Sequence, residues 1–190
     1  MKVVSRTTSL STARSGLGER ALERRKAIVD AGLSCFCQFG FAKTSFADIA
    51  QRAGVSRPTV YQHFPNKEAI LEAAYVSMFE ETLPRAAVAI AEGGSKAERL
   101  MRLCEITMLE PWSILCDAPM AKELQAQCAN IAPEIVERTT RRWVALVHEI
   151  LGDKAVAEVF ARALEGLTLD TPTVAVLRKR TTILVERFVA

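Results

Sequence analysis

The sequence predicts an all-α protein of about nine or ten helices. Apolar residues recur at three- and four-residue steps along almost all of the 190 residues, which is the period of a helix. Sustained two-residue alternation and the Asn-Gly or Asp-Gly turns of hairpins do not occur in the sequence. Glycine, proline and capping residues divide the pattern into segments. These observations favour a three-helix N-terminal domain followed by a larger helical domain.

The composition disfavours several classes of protein. No run approaches the ~18 consecutive apolar residues that span a membrane, and no apolar block of a secretory signal follows the basic N-terminus. Five cysteines occur without a Cys-x-x-Cys pair, so we expect reduced thiols in a cytoplasmic protein. The two histidines lie far apart. We therefore expect no metal site, no cofactor and no catalytic constellation, and hence no enzyme.

The charge is distributed unevenly. Residues 1–67 carry 11 Lys and Arg against 4 Asp and Glu, a net charge of +7, whereas residues 68–190 have a net charge of −4. A basic N-terminal third on a mildly acidic remainder is typical of a nucleic-acid-binding domain joined to a regulatory one. Residues 1–18 are predicted to be a disordered basic arm, because a short apolar-poor segment cannot offset its ordering entropy. Their Arg- and Ser-rich composition also loosely resembles a transit peptide.

The first helix is predicted from about Glu19 to Phe39, where Gly40 stops it. Basic residues crowd its first turns, where they oppose the helix macrodipole. A nearby phosphate backbone is one group that would favour them there. These residues are Arg20, Arg24, Arg25 and Lys26.

Two short helices follow and are joined by a turn at Gly54. Ser45 and Asp48 have the spacing of a capping box at the start of the second helix. Gly54 permits the left-handed conformation that ends this helix. Ser56 can cap the third helix, with Pro58 tolerated in its first turn. This spacing indicates a helix-turn-helix, whose second helix is short enough to enter the DNA major groove; the alternative is an ordinary pair of packed helices.

The later helices are predicted from the same signals. The predicted segments are Asn66 to about Leu83, Pro84 to Gly93-Gly94, Ser95 (with Glu98) to Glu110, shorter pieces from Pro111 to Ala132, Pro133 to Leu151, Asp153 to about Leu169, and Thr171-Pro172 to Phe188.

The N-terminal motif resembles the DNA-binding domain of the TetR family of bacterial transcriptional regulators over residues 22–71. The resemblance rests on Gly40-Phe41, Thr44-Ser45, Asp48-Ile49-Ala50, Ala53-Gly54-Val55-Ser56, Thr59-Val60-Tyr61-Gln62-His63-Phe64 and Asn66-Lys67-Glu68. It implies a helix-turn-helix DNA-binding domain at 19–66 and a ligand-binding and dimerisation domain at 67–190. The implied function is that of a dimeric repressor, released from a near-palindromic operator by a small effector. The apolar bias of the candidate pocket residues named below indicates a hydrophobic one.

The resemblance also implies which residues bind double-stranded DNA. They are Thr44, Ser45, Ser56, Arg57, Pro58, Thr59, Tyr61, Gln62, His63 and Lys67. Thr44, Ser45 and Lys67 would bind phosphates. Tyr61 and His63 match positions that hold the DNA backbone. Tyr61 could instead pack its ring in the small core, and His63 could be a structural cap.

Base recognition would come from the start of the third helix. Arg57 is the best candidate for a bidentate contact with guanine, because its planar fork matches the O6 and N7 acceptors. Thr59 could contact a thymine methyl group or a base edge, and Gln62 could read adenine. Pro58 stands where the family often has glycine, and it lacks a backbone donor.

The second domain offers two groups of candidates. Aromatic or adaptable side chains of the kind that line ligand pockets are Phe79, Met108, Trp112, Cys116, Met120 and Trp143, and polar residues such as Glu105, Thr107 and His148 could lie among them. The resemblance implies that the last two helices form a dimer interface with residues Val159, Ala163, Leu167, Leu177, Leu184 and Phe188. The alternative for these apolar faces is burial within one subunit.

A redox-sensing regulator is the alternative function. Its switch would be one of Cys104, Cys116 and Cys128. A reactive thiol needs a lowered pKa and exposure, and apolar neighbours such as Leu103 and Leu115 argue against both.

Overall fold

The computed structural model describes residues 7–128 and 130–190, with side chains placed for residues 18–124, 126–128 and 130–190. Over this range the chain contains ten α-helices, one π-helical segment and no strand, which confirms the predicted all-α class. The elements are α1 (Thr7–Phe39), α2 (Phe46–Ala53), α3 (Arg57–His63), α4 (Lys67–Ala91), α5 (Lys96–Cys104), the π segment (Glu105–Leu109), α6 (Glu110–Leu115), α7 (Ala121–Cys128), α8 (Pro133–Leu151), α9 (Lys154–Gly166) and α10 (Val174–Val189). We call residues 7–74 the head and residues 75–190 the body.

The first helix is longer than predicted, because α1 begins at Thr7 rather than near Glu19. Residues 7–18 contain no proline, and an existing helix extends by one hydrogen bond for each added residue. These residues are therefore helical where the sequence predicted an arm, and residues 1–6 of that arm lie outside the described range. The basic residues from Arg20 to Lys26 lie well inside α1, so they do not face the positive end of its macrodipole.

One apolar core joins the helices of the head. Phe36, Ile49 and Ile70 are fully buried in it. Gly32 allows α4 to approach α1, because a Cβ atom at this position would lie 2.5 Å from Cγ2 of Ile70. Leu124 of α7 also joins this core. The core therefore extends past the boundary that the sequence predicted after residue 66, and that domain division stays a prediction.

The fourth helix runs as one element from the head into the body. α4 continues through Pro84 to Ala91, whereas the sequence predicted a break at this proline. A proline inside a helix removes one backbone hydrogen bond and crowds the preceding turn. Leu83, Ala86 and Ile90 are buried in the body core on both sides of it, and this packing keeps the helix continuous.

The helix predicted from Ser95 to Glu110 is part of a longer helical run. Its predicted capping box is confirmed, since Ser95 and Glu98 exchange both hydrogen bonds. Beyond α5 the run continues through the π segment into α6, which has Pro111 in its first turn. The N–H of Glu110 donates to the carbonyl of Glu105. This wider hydrogen bonding shifts the helical register directly ahead of the residue that lacks a donor.

The C-terminal helices differ from the prediction only at their ends. α9 ends at Gly166 rather than near Leu169, and α10 is capped by Thr173 rather than by Thr171-Pro172. Arg180 donates to the carbonyl of Leu167 at 3.1 Å, which satisfies an acceptor that the end of α9 leaves free. None of the described helices has the length and apolar composition needed to cross a membrane.

Candidate DNA-binding surface and effector cavity

The predicted helix-turn-helix is formed by α2 and α3. The hydroxyl of Ser45 accepts a hydrogen bond from the N–H of Asp48 at 3.3 Å, and the Asp48 carboxylate accepts one from the N–H of Ser45 at 2.8 Å. Hydrogen bonds from the hydroxyl and the N–H of Ser45 lower the pKa of Asp48. Gly54 adopts φ 67° and ends α2. The predicted capping box and left-handed turn are both confirmed.

The start of α3 is held by its own side chains. Ser56 accepts a hydrogen bond from the N–H of Thr59 at 3.2 Å, and the two hydroxyl oxygens lie 2.8 Å apart. Pro58 lies in the first turn, as predicted, where its missing donor has no helical partner to lose. Val60 is fully buried on the opposite face. Ser56, Arg57 and Pro58 are exposed, whereas Thr59 is half-buried.

Arg57 and Tyr61 form a pair on the exposed side of α3. The guanidinium of Arg57 donates to the Tyr61 hydroxyl at 3.2 Å and lies 5.6 Å from the centre of its ring. The Tyr61 ring packs against Phe46 with 4.6 Å between centroids, yet 52% of the residue stays exposed. Sequence reasoning missed this pair, although a separation of four residues on one helix face is the signal for it. Gln62 is exposed beside them.

The two predicted phosphate-binding residues before α2 are in different environments. Thr44 is buried, and its hydroxyl donates to the carbonyl of Gly40 at 2.7 Å. This hydroxyl is therefore not available as a phosphate donor, and it holds the turn between α1 and α2 instead. Ser45 is exposed next to it.

Lys67, the first residue of α4, also binds this turn. Its ammonium group donates to the carbonyls of Phe41 at 2.7 Å and Ala42 at 3.2 Å. An ammonium group has three donors, so one remains for another acceptor. The predicted phosphate-binding residue thus has a structural contact as well.

Arg25 of α1 has a similar structural contact at the end of α3. Its guanidinium donates to the backbone carbonyl of His63 at 3.2 Å and lies 4.2 Å from the centre of the Phe64 ring. It satisfies one of the carbonyls that a helix end leaves free. The His63 side chain is half-buried.

The turn after α1 is also bound by the body. The N–H of Ala42 donates to the Glu123 carboxylate of α7 at 3.1 Å, and the N–H of Met120 donates to the carbonyl of Cys37 at 3.2 Å. The predicted pocket residue Met120 therefore lies at the junction between head and body.

A cavity of about 210 Å³ lies in the body. It is lined by Tyr75, Phe79, Thr107, Met108, Thr140, Trp143, Ala161, Leu164, Glu165 and Thr168. Three of the predicted pocket residues, Phe79, Met108 and Trp143, are among them. Sequence reasoning missed Tyr75 and Glu165, although Tyr75 lies four residues before Phe79 on α4 and their rings are 5.0 Å apart.

The remaining predicted pocket residues do not line this cavity. The indole N–H of Trp112 donates to the carbonyl of Pro172 at 2.8 Å, so this side chain ties α6 to the loop before α10. Cys116 lies beyond α6, at its C-terminal cap. Glu105, named as a polar candidate, accepts two hydrogen bonds from Arg178. Adaptable or aromatic character alone did not separate these residues from those of the cavity.

A second hollow, of about 510 Å³, lies beside α1 and α4. Its charged or titratable lining residues are Arg25, Lys26, His63, Glu72 and Glu80. None of the six predicted pocket residues lines it. It extends along the junction between head and body.

The predicted dimer residues lie on α9 and α10, except for Leu167, which directly follows α9. Leu177 is fully buried within the subunit, while Leu167, Leu184 and Phe188 pack against the body core. Ala163 is half-buried, and Val159 is 59% exposed. Leu177 is therefore not available to a partner, because its face of α10 packs inward. The exposed large apolar residues of these helices are Val156, Val159, Val176 and Ile183.

The cysteines are all free thiols. Burial raises the pKa of Cys104 to about 12 and that of Cys128 to about 11. The pKa of Cys116 is also raised, first by desolvation and then by the charge of Asp117. A raised pKa lowers the thiolate fraction at neutral pH, and the thiolate is the reactive form.

Known proteins resemble the head in sequence and most of the chain in fold. Residues 28–74 match the family model described as bacterial regulatory proteins, tetR family. The chain is 42% identical over 62 residues to the HTH-type transcriptional regulator TtgR of Pseudomonas putida, covering 33% of this chain and 30% of that relative. It is 39% identical over 70 residues to the HTH-type transcriptional regulator RutR of Escherichia coli, covering 36% and 31% respectively. The chain thus spans about a third of the length of these curated relatives.

Solved structures extend the likeness to the body. The fatty acid degradation regulator FadR from Bacillus halodurans superposes with a TM-score of 0.69 at 18% identity, covering 85% of this chain and 94% of that one. FadR from Bacillus subtilis in complex with stearoyl-CoA superposes with a TM-score of 0.66 at 20% identity, covering 87% and 97%. At these identities the likeness shows the fold. The head thus matches the tetR family model over residues 28–74, and most of the chain shares its fold with solved bacterial regulators.

Proposed function

We propose that this chain is a repressor that binds a near-palindromic operator as a homodimer in the bacterial cytoplasm and releases it when a small effector enters the body. The observation that carries the proposal is the exposed start of α3, where Arg57 lies on a capped helix anchored by the buried Val60. A helix presented in this way can enter the major groove and place its N-terminal residues against base edges.

The DNA contacts divide between bases and backbone. Arg57, Thr59 and Gln62 read bases, with Arg57 placed against guanine. The neighbouring Pro58 and Ser56 make close apolar and phosphate contacts. The backbone contacts come from Ser45, Tyr61, His63 and Lys67. We leave Thr44 out of this set, since its hydroxyl already donates to Gly40.

Dimerisation would use the outer faces of α9 and α10. Val159 of α9 and Ile183 of α10 are 59% and 49% exposed, and apolar side chains of this size are favourably removed from water. Two-fold symmetry places two copies of α3 on successive major grooves. One short helix reads too few bases for a specific site, so the second copy is needed.

Effector binding would reach the head through α4. Tyr75 and Phe79 line the cavity, and Ile70 of the same helix is fully buried in the head core. A ligand that favours one position of α4 thereby favours one separation of the two recognition helices. A coupling free energy of about 1–3 kcal/mol is typical of such regulation. The redox alternative is not favoured, because Cys104, Cys116 and Cys128 all have raised pKa values.

Binding of fluorescently labelled DNA tests the DNA-binding half of the proposal. We expect the full chain to bind a segment from upstream of its own gene more tightly than a shuffled segment of equal length, by a factor of about 10³ or more at physiological salt. Equal affinity for the two would instead indicate a non-specific DNA-binding protein.

Light scattering after size-exclusion chromatography tests the dimer. Val159→Arg places a charge on the exposed face of α9, and Ile114→Arg places one on α6, where Ile114 is 73% exposed. We expect Val159→Arg to give a folded monomer with weak operator binding, because burying an unpaired charge is costly. Ile114→Arg should remain dimeric. A dimer in both variants would move the interface to another surface.

A further inference from the structure

We infer that the effector is a compact organic cation with an apolar body, bound between Tyr75, Phe79 and Trp143 with Glu165 at its edge. The inference rests on the proposed effector-released function and names the chemistry of its ligand. Its basis is the size, the walls and the charge of the body cavity.

The size of the cavity restricts the ligand. Its volume is about 210 Å³, whereas pockets for drug-sized ligands are about 300–1,000 Å³. A single aromatic or branched alkyl group fits such a volume, whereas a long acyl chain would extend beyond it.

Three aromatic residues, Tyr75, Phe79 and Trp143, line the cavity. The Tyr75 and Phe79 rings lie 5.0 Å apart with a tilt of 50°. The Trp143 indole is held in place, because its N–H donates to the Thr107 hydroxyl at 2.8 Å and its ring stacks with Phe160 at 6.1 Å. Aromatic faces carry negative potential and attract organic cations.

The charge of the lining has one sign. Glu165 is the charged residue among the lining residues that the structure describes, and no Lys, Arg or His is among them. One oxygen of its carboxylate accepts a hydrogen bond from Arg162 at 2.9 Å, and both side chains are more than half exposed. A carboxylate so placed attracts a cation at the cavity edge, although Arg162 offsets part of that attraction.

The same features disfavour an anionic effector. An acyl-CoA, the kind of ligand in the solved Bacillus subtilis FadR, carries several phosphate charges and a long chain. Phosphate groups are bound by Arg, Lys or exposed N–H groups, and the described lining contains no such cation. The cavity of this chain therefore differs in chemistry from what an acyl-CoA requires.

The π segment indicates that the cavity is a built feature of the body. It carries Thr107 and Met108 into the lining. A single π-helical turn within an α-helical run is rare and is found frequently at functional sites. Thr107 is buried, and its hydroxyl donates to the carbonyl of Leu103 at 2.7 Å. The hydroxyl thus accepts from Trp143 and donates to the π segment's own helical run, and both hydrogen bonds fix this side of the cavity.

A pair of probes with one shape and different charge tests the inference. Benzyltrimethylammonium is a cation, and neopentylbenzene is its uncharged isostere with carbon in place of nitrogen. Binding to the full chain is followed by quenching of tryptophan fluorescence, since Trp143 lines the cavity. We expect the cation to bind at least about tenfold more tightly than the isostere, and lauroyl-CoA to bind more weakly than the cation. Equal binding of the isosteres, binding of neither, or preference for lauroyl-CoA would overturn the inference.

Three variants on α9 locate the charge that is responsible. Glu165→Gln should weaken binding of the cation by roughly three- to tenfold and leave the isostere unchanged. Arg162→Gln should strengthen cation binding by about two- to threefold, because it removes the competing partner. Glu158→Gln is the matched control, since Glu158 lies on the same helix and pairs with Lys154 outside the cavity. If all three variants changed the affinity for the cation by the same factor, the role of Glu165 would be contradicted.

Operator binding in the same preparations separates this inference from the proposed function. Loss of cation selectivity together with normal operator binding overturns the ligand class alone. Absence of sequence-selective DNA binding overturns the proposed function, whatever the probes do.

Discussion

The head and the body hold their cationic side chains in different ways. In the head, Arg25 and Lys67 donate to backbone carbonyls, and Arg57 donates to a tyrosine hydroxyl. In the body, Arg178 and Arg180 each donate two hydrogen bonds to a carboxylate. The partners are neutral in the first group and anionic in the second, although Lys96, Arg99 and Arg102 of the body also donate to backbone carbonyls.

A neutral partner positions a cation without cancelling its charge. The head cations are thus oriented and still available to phosphates, whose neutralisation dominates the affinity of proteins for DNA. For Arg178 and Arg180 of the body, ion pairs cancel the charge locally. Lys26–Asp30 is an ion pair within the head, but both side chains are more than 60% exposed, and such pairs contribute little.

The largest effect is expected from removing Arg57, the head cation that we propose contacts bases. Arg57→Ala should cost about 1–3 kcal/mol of operator binding and relax preference at one base pair. Titration of the operator and of single-base variants, followed by fluorescence anisotropy, measures both effects. Arg141→Ala is the control, since Arg141 is a 71% exposed body residue paired with Glu137, and its loss should not change affinity. If Arg57→Ala weakened binding to every DNA sequence equally, Arg57 would contact the DNA backbone rather than a base.

A smaller effect is expected for a head cation with a structural contact. Lys67→Ala should weaken binding to all sequences and reduce the salt slope by about one unit. It should also lower the free energy of unfolding by about 1–3 kcal/mol, because the carbonyls of Phe41 and Ala42 lose a charged donor. Salt-dependent binding and urea unfolding measure the two effects.

The matched control is Lys154→Ala, which removes a 76% exposed lysine from the body and should change neither quantity. Lower stability with an unchanged salt slope would show that Lys67 serves the fold alone.

The same two regions differ in how far the sequence predicts them. The caps at Ser45, Gly54 and Ser56 were predicted because capping depends on residues three or four positions apart. The pairing of Arg57 with Tyr61 has the same local basis and was nevertheless missed. Thr44 was assigned to phosphate, but its burial follows from how α1 meets α2, which a local pattern does not contain.

In the body, tertiary packing overrides local sequence signals, so these signals predict its helix ends and its cavity less well. Pro84 predicts a helix break on propensity alone, yet burial on both sides keeps α4 continuous. The cavity lining comes from α4, the π segment, α8, α9 and the loop after it. Phe79 and Trp143 were predicted from residue type, whereas Trp112 has the same type and lies elsewhere. Residue type indicates which side chains can line a cavity, and packing selects among them.

A still smaller effect is expected from breaking a body ion pair. Glu105→Gln removes the carboxylate that holds Arg178, and these side chains are 33% and 50% exposed. The free energy of unfolding should fall by no more than about 1 kcal/mol, because solvent screens pairs this exposed. Urea unfolding measures this change, and operator affinity without effector should stay the same. A clear loss of operator affinity would mean that body charges act on DNA as well.

The smallest effect concerns Asp48, a carboxylate that the head stabilises with neutral donors. The hydroxyl and N–H of Ser45 lower its pKa below the ordinary 3.8. A lowered folded pKa contributes stability that is complete above the unfolded pKa and is lost as the pH falls through the folded pKa. Asp48→Asn should therefore lower the melting temperature at neutral pH and reduce its decline below about pH 4. Thermal unfolding from pH 7 to pH 3 measures both, with the exposed Asp30→Asn as control. If Asp48→Asn left the decline of the melting temperature below about pH 4 unchanged, the cap would stabilise the fold through its geometry rather than its charge.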